Sequence, residues 1–384
     1  MSKIKVIRTA TVSVSIKYLL KGQLKFLNSF FDIVAVSDDR DEALHSVAVN
    51  EQIRTIEVPM KRNISLVNDF ISLIKLVIIF RQERPEIVHS ITPKAGLLSM
   101  LAAKLTGVPI RMHTFTGLIF PEKSGLLQKV LISMDKLLCW SATSIYPEGN
   151  GVRDDLLKFR ITNKNMKIIA NGNVNGVDLE YFDPKNISKS NQDNLKIKLG
   201  ITQNEFIWIF VGRLVRDKGI NELVEAFTQL SYPSKLLLVG GFEQDLDPLD
   251  KETYDMINSH FGIISVGFQE DIRPYLAISD CLVFPSYREG FPNVVLQAGC
   301  FNLPSIVTNI NGSNEIIIDG LNGVIISRKN IDGLKNAMNR IYSNTDLRVS
   351  LSQNARKHIE SKFTKDLVWN EILKEYQNQL KNIE

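Results

Sequence analysis

Short runs of β-branched and aromatic residues alternate with longer segments of helical periodicity along the first half of the chain. The clearest helical segments are 64–82 and 94–107, and the second stops at Gly107 with Pro109 beyond it, as is typical of a helix C-terminus. Strands and helices that alternate in this way form parallel sheets with crossover helices. The predicted strands are residues 3–9, 32–37, 53–58, 86–90, 110–115 and 142–147.

A second alternating series follows a stretch rich in Asn and Gly (171–184) and a polar tract (185–194), which together indicate a domain junction. We therefore predict an α/β protein of two doubly wound Rossmann-like domains that face a cleft. The domains are residues 1–184 and 185–364, and a C-terminal helix at about 365–384 packs back on the first. Ligands are expected at the C-terminal ends of the strands. The strands predicted for the second domain are residues 206–212, 235–241, 262–267, 281–286, 304–309 and 323–327.

Composition agrees with a globular protein of this size. Apolar residues make up 44% of the 384 residues and charged residues 23%. The most apolar window, 71–80, is too short to cross a bilayer, and Arg8 interrupts the N-terminal apolar run, so neither a membrane span nor a signal peptide is expected. The three cysteines are far apart, which favours free thiols in a reducing compartment. These features predict a cytoplasmic protein.

The stretch 282–300 runs from a buried-type strand through a turn into an apolar helix. Glu289 lies in the turn, Gly290 frees the backbone, and Pro292 suits the first position of a helix. Gln297 follows eight residues after Glu289, so both side chains could face one ligand from successive helical levels. The amide N–H groups of 293–295 are expected to be free at the helix start, and together with the helix dipole they favour a phosphate. Taken alone, an acid that merely charges a helix start is an equal alternative.

Two cations follow the first strand of the second domain. Arg213 comes directly after Gly212, and Lys218 lies at the start of the next helix. Together they could hold a diphosphate, although a solvated basic turn explains them as well. Asp245 and Asp247 form a D-x-D sequence, but these acids suit a helix entry, and we expect no metal site and no cofactor.

The motifs at 212–219, 266–299 and 310–326 resemble the donor site of the retaining GT-B glycosyltransferases of family 4, those related to sucrose synthase and glycogen synthase. The resemblance is looser in the first domain, where 21–27, 87–117 and 171–182 are similar to enzymes that build lipid-linked bacterial oligosaccharides. It implies a GT-B fold and a nucleotide-sugar donor.

The resemblance also assigns roles to individual residues. Arg213 and Lys218 would hold the donor diphosphate, Glu289 would bind donor-sugar hydroxyls, and His113 would lie beside the donor sugar. These four are the expected catalytic residues. Gln297 stands where the family has an acid that binds ribose, and the first βα loop (9–22) lacks the usual paired glycines. The expected donor-binding residues are Arg213, Lys218, Glu289, Gly290, Phe291, Asn293, Val294 and Gln297.

The expected function is transfer of a sugar, with retention, from a nucleoside diphosphate donor such as a UDP-sugar to a lipid-linked or growing saccharide of the bacterial surface. A UDP-sugar epimerase of the same fold and a non-catalytic sugar-binding protein are the alternatives. The net charge is +4 and the positive excess lies in residues 1–180, which favours peripheral contact of the first domain with an anionic membrane, with Lys61 and Arg62 as candidates. No nucleic-acid partner is expected.

Overall fold

The computed structural model describes residues 3–61, 63, 65–243 and 247–383. The chain forms two compact units. The first extends to Gly176 and takes up the chain again from Lys365, and the second is Val177–Thr364. Each has its own parallel sheet and its own core.

The first unit is a doubly wound sheet. Within its described residues, six parallel strands lie in the order β3-β2-β1-β4-β5-β6, so the strand order reverses between β1 and β4. The strands are β1 (Lys5–Val12), β2 (Asp32–Asp38), β3 (Arg54–Glu57), β4 (Ile87–Ser90), β5 (Ile110–Phe115) and β6 (Ser144–Pro147). The helices are α1 (Ser13–Leu19), α2 (Gln23–Asn28), α3 (Leu44–Glu51), α4 (Leu66–Glu83), α5 (Pro93–Leu105), α6 (Gly125–Ser141) and α7 (Asn150–Lys158).

The first sheet is covered by helices on both faces. Helix α5 packs between α4 and α6, and the three helices share one face because each crosses in the same direction along the sheet. Residues such as Val6 and Ile7 alternate between the two apolar clusters on either side of β1. The segment 9–22, predicted as a loop, is instead the end of β1 followed directly by α1, which starts at Ser13.

The second unit repeats the same architecture. Its described residues include six parallel strands in the order β12-β11-β10-β7-β8-β9, and here the order reverses between β7 and β10. The strands are β7 (Phe206–Val211), β8 (Ser234–Val239), β9 (Ile263–Ser265), β10 (Cys281–Phe284), β11 (Ser305–Thr308) and β12 (Gly323–Ile326). The helices are α8 (Lys189–Lys198), α9 (Ile220–Thr228), α10 (Lys251–Ser259), α11 (Arg273–Ala277), α12 (Asn293–Cys300), α13 (Ser313–Ile316), α14 (Ile331–Ser343) and α15 (Thr345–Lys362).

The prediction of two doubly wound parallel sheets is confirmed. The first unit ends at Gly176, whereas the sequence placed the boundary at 184. The segment after Gly176 joins the second unit because Val177 N–H donates to the Phe363 carbonyl (2.8 Å) and Arg356 Nη1 donates to the Phe182 carbonyl (3.3 Å).

The last helix, α16 (Lys365–Lys381), belongs to the first unit. Tyr376 on α16 is fully buried, and its hydroxyl accepts from Arg8 Nη1 (2.7 Å) and lies 2.8 Å from His89 Nδ1. Apolar contacts from α16 complete the core cluster on its side of the first sheet. In the described part of the chain, every helix is too short or too polar to cross a lipid bilayer.

Candidate functional site

The second sheet places two loops side by side at its point of strand reversal. The loop after β7 carries Arg213 and Lys218, and the loop after neighbouring β10 carries Glu289. In open parallel sheets, ligands bind outside the carboxyl ends of the strands at such a point. Residues 71 positions apart in sequence therefore meet where the topology favours a ligand.

Two glycines permit this close approach. Gly219, which follows Lys218, has φ +71°, and a Cβ there would overlap the Pro285 carbonyl at the end of β10. Gly312 has φ +74°, and a Cβ there would overlap the backbone of Gly290. Side chains at these positions would be strained and would push the loops apart. The motifs 212–219, 266–299 and 310–326 thus pack against one another through backbone contacts at glycines, without intervening side chains.

The ammonium of Lys218 forms an ion pair with the carboxylate of Glu289. The two side chains are 14% and 15% exposed, so each keeps some contact with solvent while being largely enclosed. Lys218 Nζ also lies 5.7 Å from the ring centre of Phe284. Lys218 itself stands in a short 3-10 turn (Arg216–Lys218), one residue before α9 is reached through Gly219.

A set of hydrogen bonds around Asp217 fixes the turn that presents Lys218. The Asp217 carbonyl accepts from Tyr287 N–H (2.8 Å), and its carboxylate accepts from Arg288 Nη2 (2.9 Å). Asp247 Oδ2 accepts from Asp217 N–H (2.7 Å). Because the bonds from Tyr287 and Arg288 join the loop after β7 to the loop after β10, the backbone contacts between these loops set the position of Lys218 relative to Glu289.

Arg213 lies at the same end of the sheet but has a different partner. Its Nη1 donates to Glu243 Oε2 (2.6 Å), and the side chain is 49% exposed. The structure thus leaves Arg213 in solvent contact rather than joined to the Lys218–Glu289 pair.

Helix α12 starts at Asn293, with Pro292 as the preceding cap residue rather than the first helical residue. Val295 N–H donates to the Pro292 carbonyl (3.1 Å), so the expectation of a free amide at Val295 is wrong. The first turn closes on the cap residue and uses this donor. Asn293 and Val294 are half-buried.

Gln297 and Phe291, two further residues expected to bind the donor, differ in the groups that they can offer a ligand. Gln297 is half-buried, and its amide makes no hydrogen bond to any part of the chain that the structure describes. The Phe291 ring is 6% exposed and packs 5.5 Å from the ring of Phe363. The side chain of Phe291 is therefore part of the hydrophobic core, and only the backbone of this residue is available to contact a donor.

His113 lies in the first unit and is enclosed. Its side chain is 1% exposed, Nδ1 lies 2.8 Å from Ser90 Oγ, and the ring packs edge-on to Phe115 at 4.5 Å. A Cβ on Gly96 would overlap the ring, which shows how closely α5 covers it. Burial lowers the pKa of His113 to about 3. In this conformation the imidazole cannot touch a ligand, so its expected place beside the donor sugar is not supported.

The D-x-D sequence falls partly outside the described residues, since Asp245 is not among them. Asp247 precedes α10 by four residues, and its carboxylate holds the backbone of Asp217 rather than starting the helix. Among the described residues, no group of three or more His, Cys, Asp or Glu side chains is arranged to hold a metal ion.

Comparison with known proteins identifies the family of this chain. The model of the family described as Glycosyl transferases group 1 matches residues 191–358, and that of the Glycosyl transferase 4-like domain matches residues 27–172. The capsular polysaccharide biosynthesis glycosyltransferase CapM of Staphylococcus aureus is 31% identical over 99% of this chain and 98% of its own length. The protein belongs to the group 1 glycosyltransferases of family 4.

Another relative of this glycosyltransferase is the UDP-Gal:alpha-D-GlcNAc-diphosphoundecaprenol alpha-1,3-galactosyltransferase of Escherichia coli, 30% identical over 82% of this chain and 81% of that protein. Among solved structures, a glycosyltransferase from Rickettsia africae has a TM-score of 0.81 at 22% identity, with all of both chains covered. Anabaena Alr3699/HepE in complex with UDP and glucose has a TM-score of 0.82 at 18% identity, covering 98% of this chain and 100% of the other. The chain has the two-domain GT-B fold.

The sequence analysis did not identify Asp135 as a candidate functional residue. Asp135 on α6 lines a cavity of the first unit, and the signal for it was a single acid within the apolar helical segment 125–141.

Proposed function

We propose that this glycosyltransferase moves a sugar, with retention of anomeric configuration, from a UDP-sugar to a lipid-linked acceptor in bacterial surface polysaccharide synthesis. The coarse activity follows from the family. The donor and acceptor classes are supported by relatives: one is named for a UDP-Gal donor and a diphosphoundecaprenol acceptor, and another for transfer to a diphospho-undecaprenol-linked sugar. CapM supports the link to capsule synthesis.

The observation that carries the donor assignment is the Lys218–Glu289 ion pair at the strand reversal of the second sheet. A cation beside an acid offers one group for phosphate oxygens and one for sugar hydroxyls. On donor binding, Lys218 exchanges part of its interaction with Glu289 for the diphosphate, and the Glu289 carboxylate accepts from the sugar. Because hydrogen bonds between the two loops already fix the backbone that presents both side chains, little ordering of the loops accompanies binding.

Departure of the nucleotide develops negative charge on the leaving phosphate. Lys218, Arg213 and the N-terminal end of α12 would stabilise that charge, and the incoming hydroxyl would give its proton to the same phosphate. Two cations supply the charge that a metal ion provides in other transferases, so the proposed reaction needs no metal. Turnover in excess EDTA should equal turnover with added Mg²⁺ or Mn²⁺.

Contact with the membrane is proposed for the first unit. At the start of α4, Leu66, Val67 and Phe70 are 84%, 72% and 62% exposed. Exposed Lys61 and Lys75 lie before and within this helix. An exposed apolar stripe flanked by lysines suits the surface of an anionic bilayer. Arg62, the other basic candidate, lies outside the described residues.

The test is a panel of nucleotide sugars, each offered with a short lipid-linked acceptor. We expect one UDP-sugar to release UDP at a rate that depends on the acceptor, and the product's new linkage to keep the donor's anomeric configuration by NMR. Conversion of the donor to its epimer without transfer would instead favour the epimerase alternative.

Variants of the ion pair connect this activity to the site. Lys218→Ala should lower kcat by about 10²–10³, the loss typical for one group that stabilises a developing anion. Lys251→Ala, an exposed lysine at the start of α10, is the matched control and should keep parental kinetics. A folded Lys218→Ala protein with unchanged kcat would contradict the assignment of Lys218 to the donor site.

A further inference from the structure

The first unit contains a ligand-sized cavity that the donor site does not use. Its volume is about 360 Å³. Segments that follow β1, β4 and β5 form its walls together with α6. The lining side chains are predominantly apolar, and they include Val12, Leu97, Phe115, Leu118, Leu131 and Met134.

The position of this cavity matches that of the donor site in the second unit. The strand order of the first sheet reverses between β1 and β4, and the cavity is bordered by the end of β1 (Thr11 and Val12), by Ser15 in the helix that follows it, and by the residues 92–94 after β4. Ligand sites form where the connections from such neighbouring strands diverge to opposite faces of the sheet. The cavity is therefore placed where this fold forms a binding site.

Asp135 is the polar feature that packing does not explain. It lies on α6 directly after Met134 and one turn after Leu131, and all three side chains line the cavity. Its carboxyl makes no hydrogen bond or ion pair with any described residue. Burial in these apolar surroundings raises the pKa of Asp135 to about 7. Lys94, which also lines the cavity, is committed to Asp69 Oδ1 at 2.7 Å.

Apolar surface continues beyond the cavity along the same elements. Ile119, on the cavity wall, is 41% exposed, and Leu126, Leu127 and Val130 on the first turns of α6 are 78%, 48% and 40% exposed. An aliphatic chain that leaves the cavity could remain against apolar side chains. A free sugar or a nucleotide would gain little from such a lining, because its hydroxyls and phosphates would lack partners.

We propose that this cavity binds the acceptor through the start of its aliphatic lipid chain, with Asp135 accepting a hydrogen bond from a hydroxyl or amide N–H of the sugar in its polar head. The inference rests on the proposed function, because it names the part of the lipid-linked acceptor that the first unit recognises. Filling the cavity gives Asp135 the partner that the protein does not provide and removes apolar surface from water.

The first test measures binding without any donor, so it does not depend on catalysis. Octyl glucoside, kept below its critical micelle concentration, and methyl glucoside are titrated into the protein by calorimetry. We expect octyl glucoside to bind and methyl glucoside to bind at least tenfold more weakly. Leu131→Gln and Met134→Gln should each weaken octyl glucoside at least tenfold, since each places an amide in the apolar wall.

Leu137→Gln is the matched control, because Leu137 is on the same helix, is 42% exposed and does not line the cavity. It should bind octyl glucoside as the parent does. Two half-buried wall positions are used so that one folded variant is sufficient. Equal binding by the parent and a folded wall variant, or no binding by the parent, would overturn the proposal.

The second test uses transfer. Asp135→Leu should raise the KM for a lipid-linked acceptor at least fivefold and leave the KM for the donor unchanged, whereas an acceptor KM equal to that of the parent would exclude the role given to Asp135. If octyl glucoside binds as expected but no nucleotide sugar supports transfer, the proposed function fails while the aliphatic site stands.

Discussion

At the scale of single residues, Gln297 is the position of the proposed donor site where the sequence departs from the pattern expected of the family. Its amide is half-buried and has no partner among the described residues, so it is available to ribose hydroxyls. We expect Gln297→Glu to change donor affinity by no more than about 1.5 kcal/mol, because a stronger charged acceptor is opposed by repulsion from the diphosphate. Gln297→Leu should weaken donor binding by roughly 1–3 kcal/mol.

These changes should appear in the donor KM rather than in kcat, since ribose contacts are the same in the ground and transition states. Steady-state kinetics with varied donor measures both. Gln353→Leu, at an exposed position of α15, is the matched control. Parental donor binding by Gln297→Leu would show that the ribose is held elsewhere.

His113 illustrates a residue whose surroundings the sequence could not reveal. The family resemblance predicted that His113 lies beside the donor sugar. His113 is part of β5, however, and a parallel strand covered by helices on both faces buries the side chains that point to either face. Helix α5 can cover the His113 ring because Gly96 has no side chain at the point of contact. Such a contact between distant segments is not encoded in any local sequence pattern.

The burial of His113 has a measurable consequence for stability. Burial lowers the pKa of His113 in the folded state to about 3 from an ordinary 6.5. Below about pH 6.5 the unfolded chain therefore binds a proton at this residue, whereas the folded protein does not. The free energy of unfolding should therefore fall as the pH drops from 6.5 towards 3, by up to about 1.4 kcal/mol per pH unit for this residue. Above pH 7 it contributes no pH dependence.

Urea unfolding between pH 8 and 4 measures this slope. His113→Gln should flatten it, and exposed His45→Gln should retain the parental pH dependence. His89, also buried with a lowered pKa, adds to the slope in the same direction and remains in both variants. An unchanged slope in folded His113→Gln would contradict the burial of a neutral imidazole.

At the scale of elements, strand and helix order could be predicted because the hydrophobic periodicity is strong, and even the stop of α5 near Gly107 was readable. The contacts that assemble the donor site were not. Gly219 and Gly312 look like ordinary turn glycines in the sequence, and their role becomes clear when the backbones of Pro285 and Gly290 lie against them. The Lys218–Glu289 pair follows from that packing.

The docking of α16 depends on a buried polar group as well as on apolar contact. Tyr376→Phe would remove the hydroxyl that Arg8 Nη1 and His89 Nδ1 share in the interior of the first unit, and would leave these two groups only their 3.1 Å contact with each other. Loss of a buried hydrogen bond to a charged group costs about 1.5–3 kcal/mol, so the free energy of unfolding should fall by that amount.

Urea denaturation of Tyr376→Phe measures the loss, and Tyr18→Phe, whose side chain is 48% exposed, serves as the matched change and should have little effect. Parental stability of Tyr376→Phe would mean that α16 is held by its apolar face alone.

At the scale of the whole molecule, both units place their candidate sites by the same rule. The second sheet brings Lys218 and Glu289 together at its strand reversal, and the first sheet opens the cavity of Asp135 at its own. The proposed donor site could be inferred from the sequence because charged residues follow two strands of the second sheet, β7 and β10. The sequence analysis missed the other site because the lining residues, such as Leu131 and Met134, resemble any core positions of a helix.

The membrane contact proposed for the first unit would combine charge with exposed apolar surface. If α4 enters the interface, burying Leu66 and Phe70 contributes about 1.5–3 kcal/mol each, so the double variant Leu66→Ser/Phe70→Ser should bind anionic vesicles at least tenfold more weakly. Binding of the parent should also weaken as salt rises, because lysines such as Lys61 act through a screened field.

Co-sedimentation with vesicles of anionic and zwitterionic lipid at several salt concentrations measures both effects. Phe261→Ser is the control, since Phe261 is 85% exposed but belongs to the second unit, and its loss should leave vesicle binding intact. Attachment that ignores salt and lipid charge, or that survives in the double variant, would place the membrane contact somewhere other than the exposed start of α4.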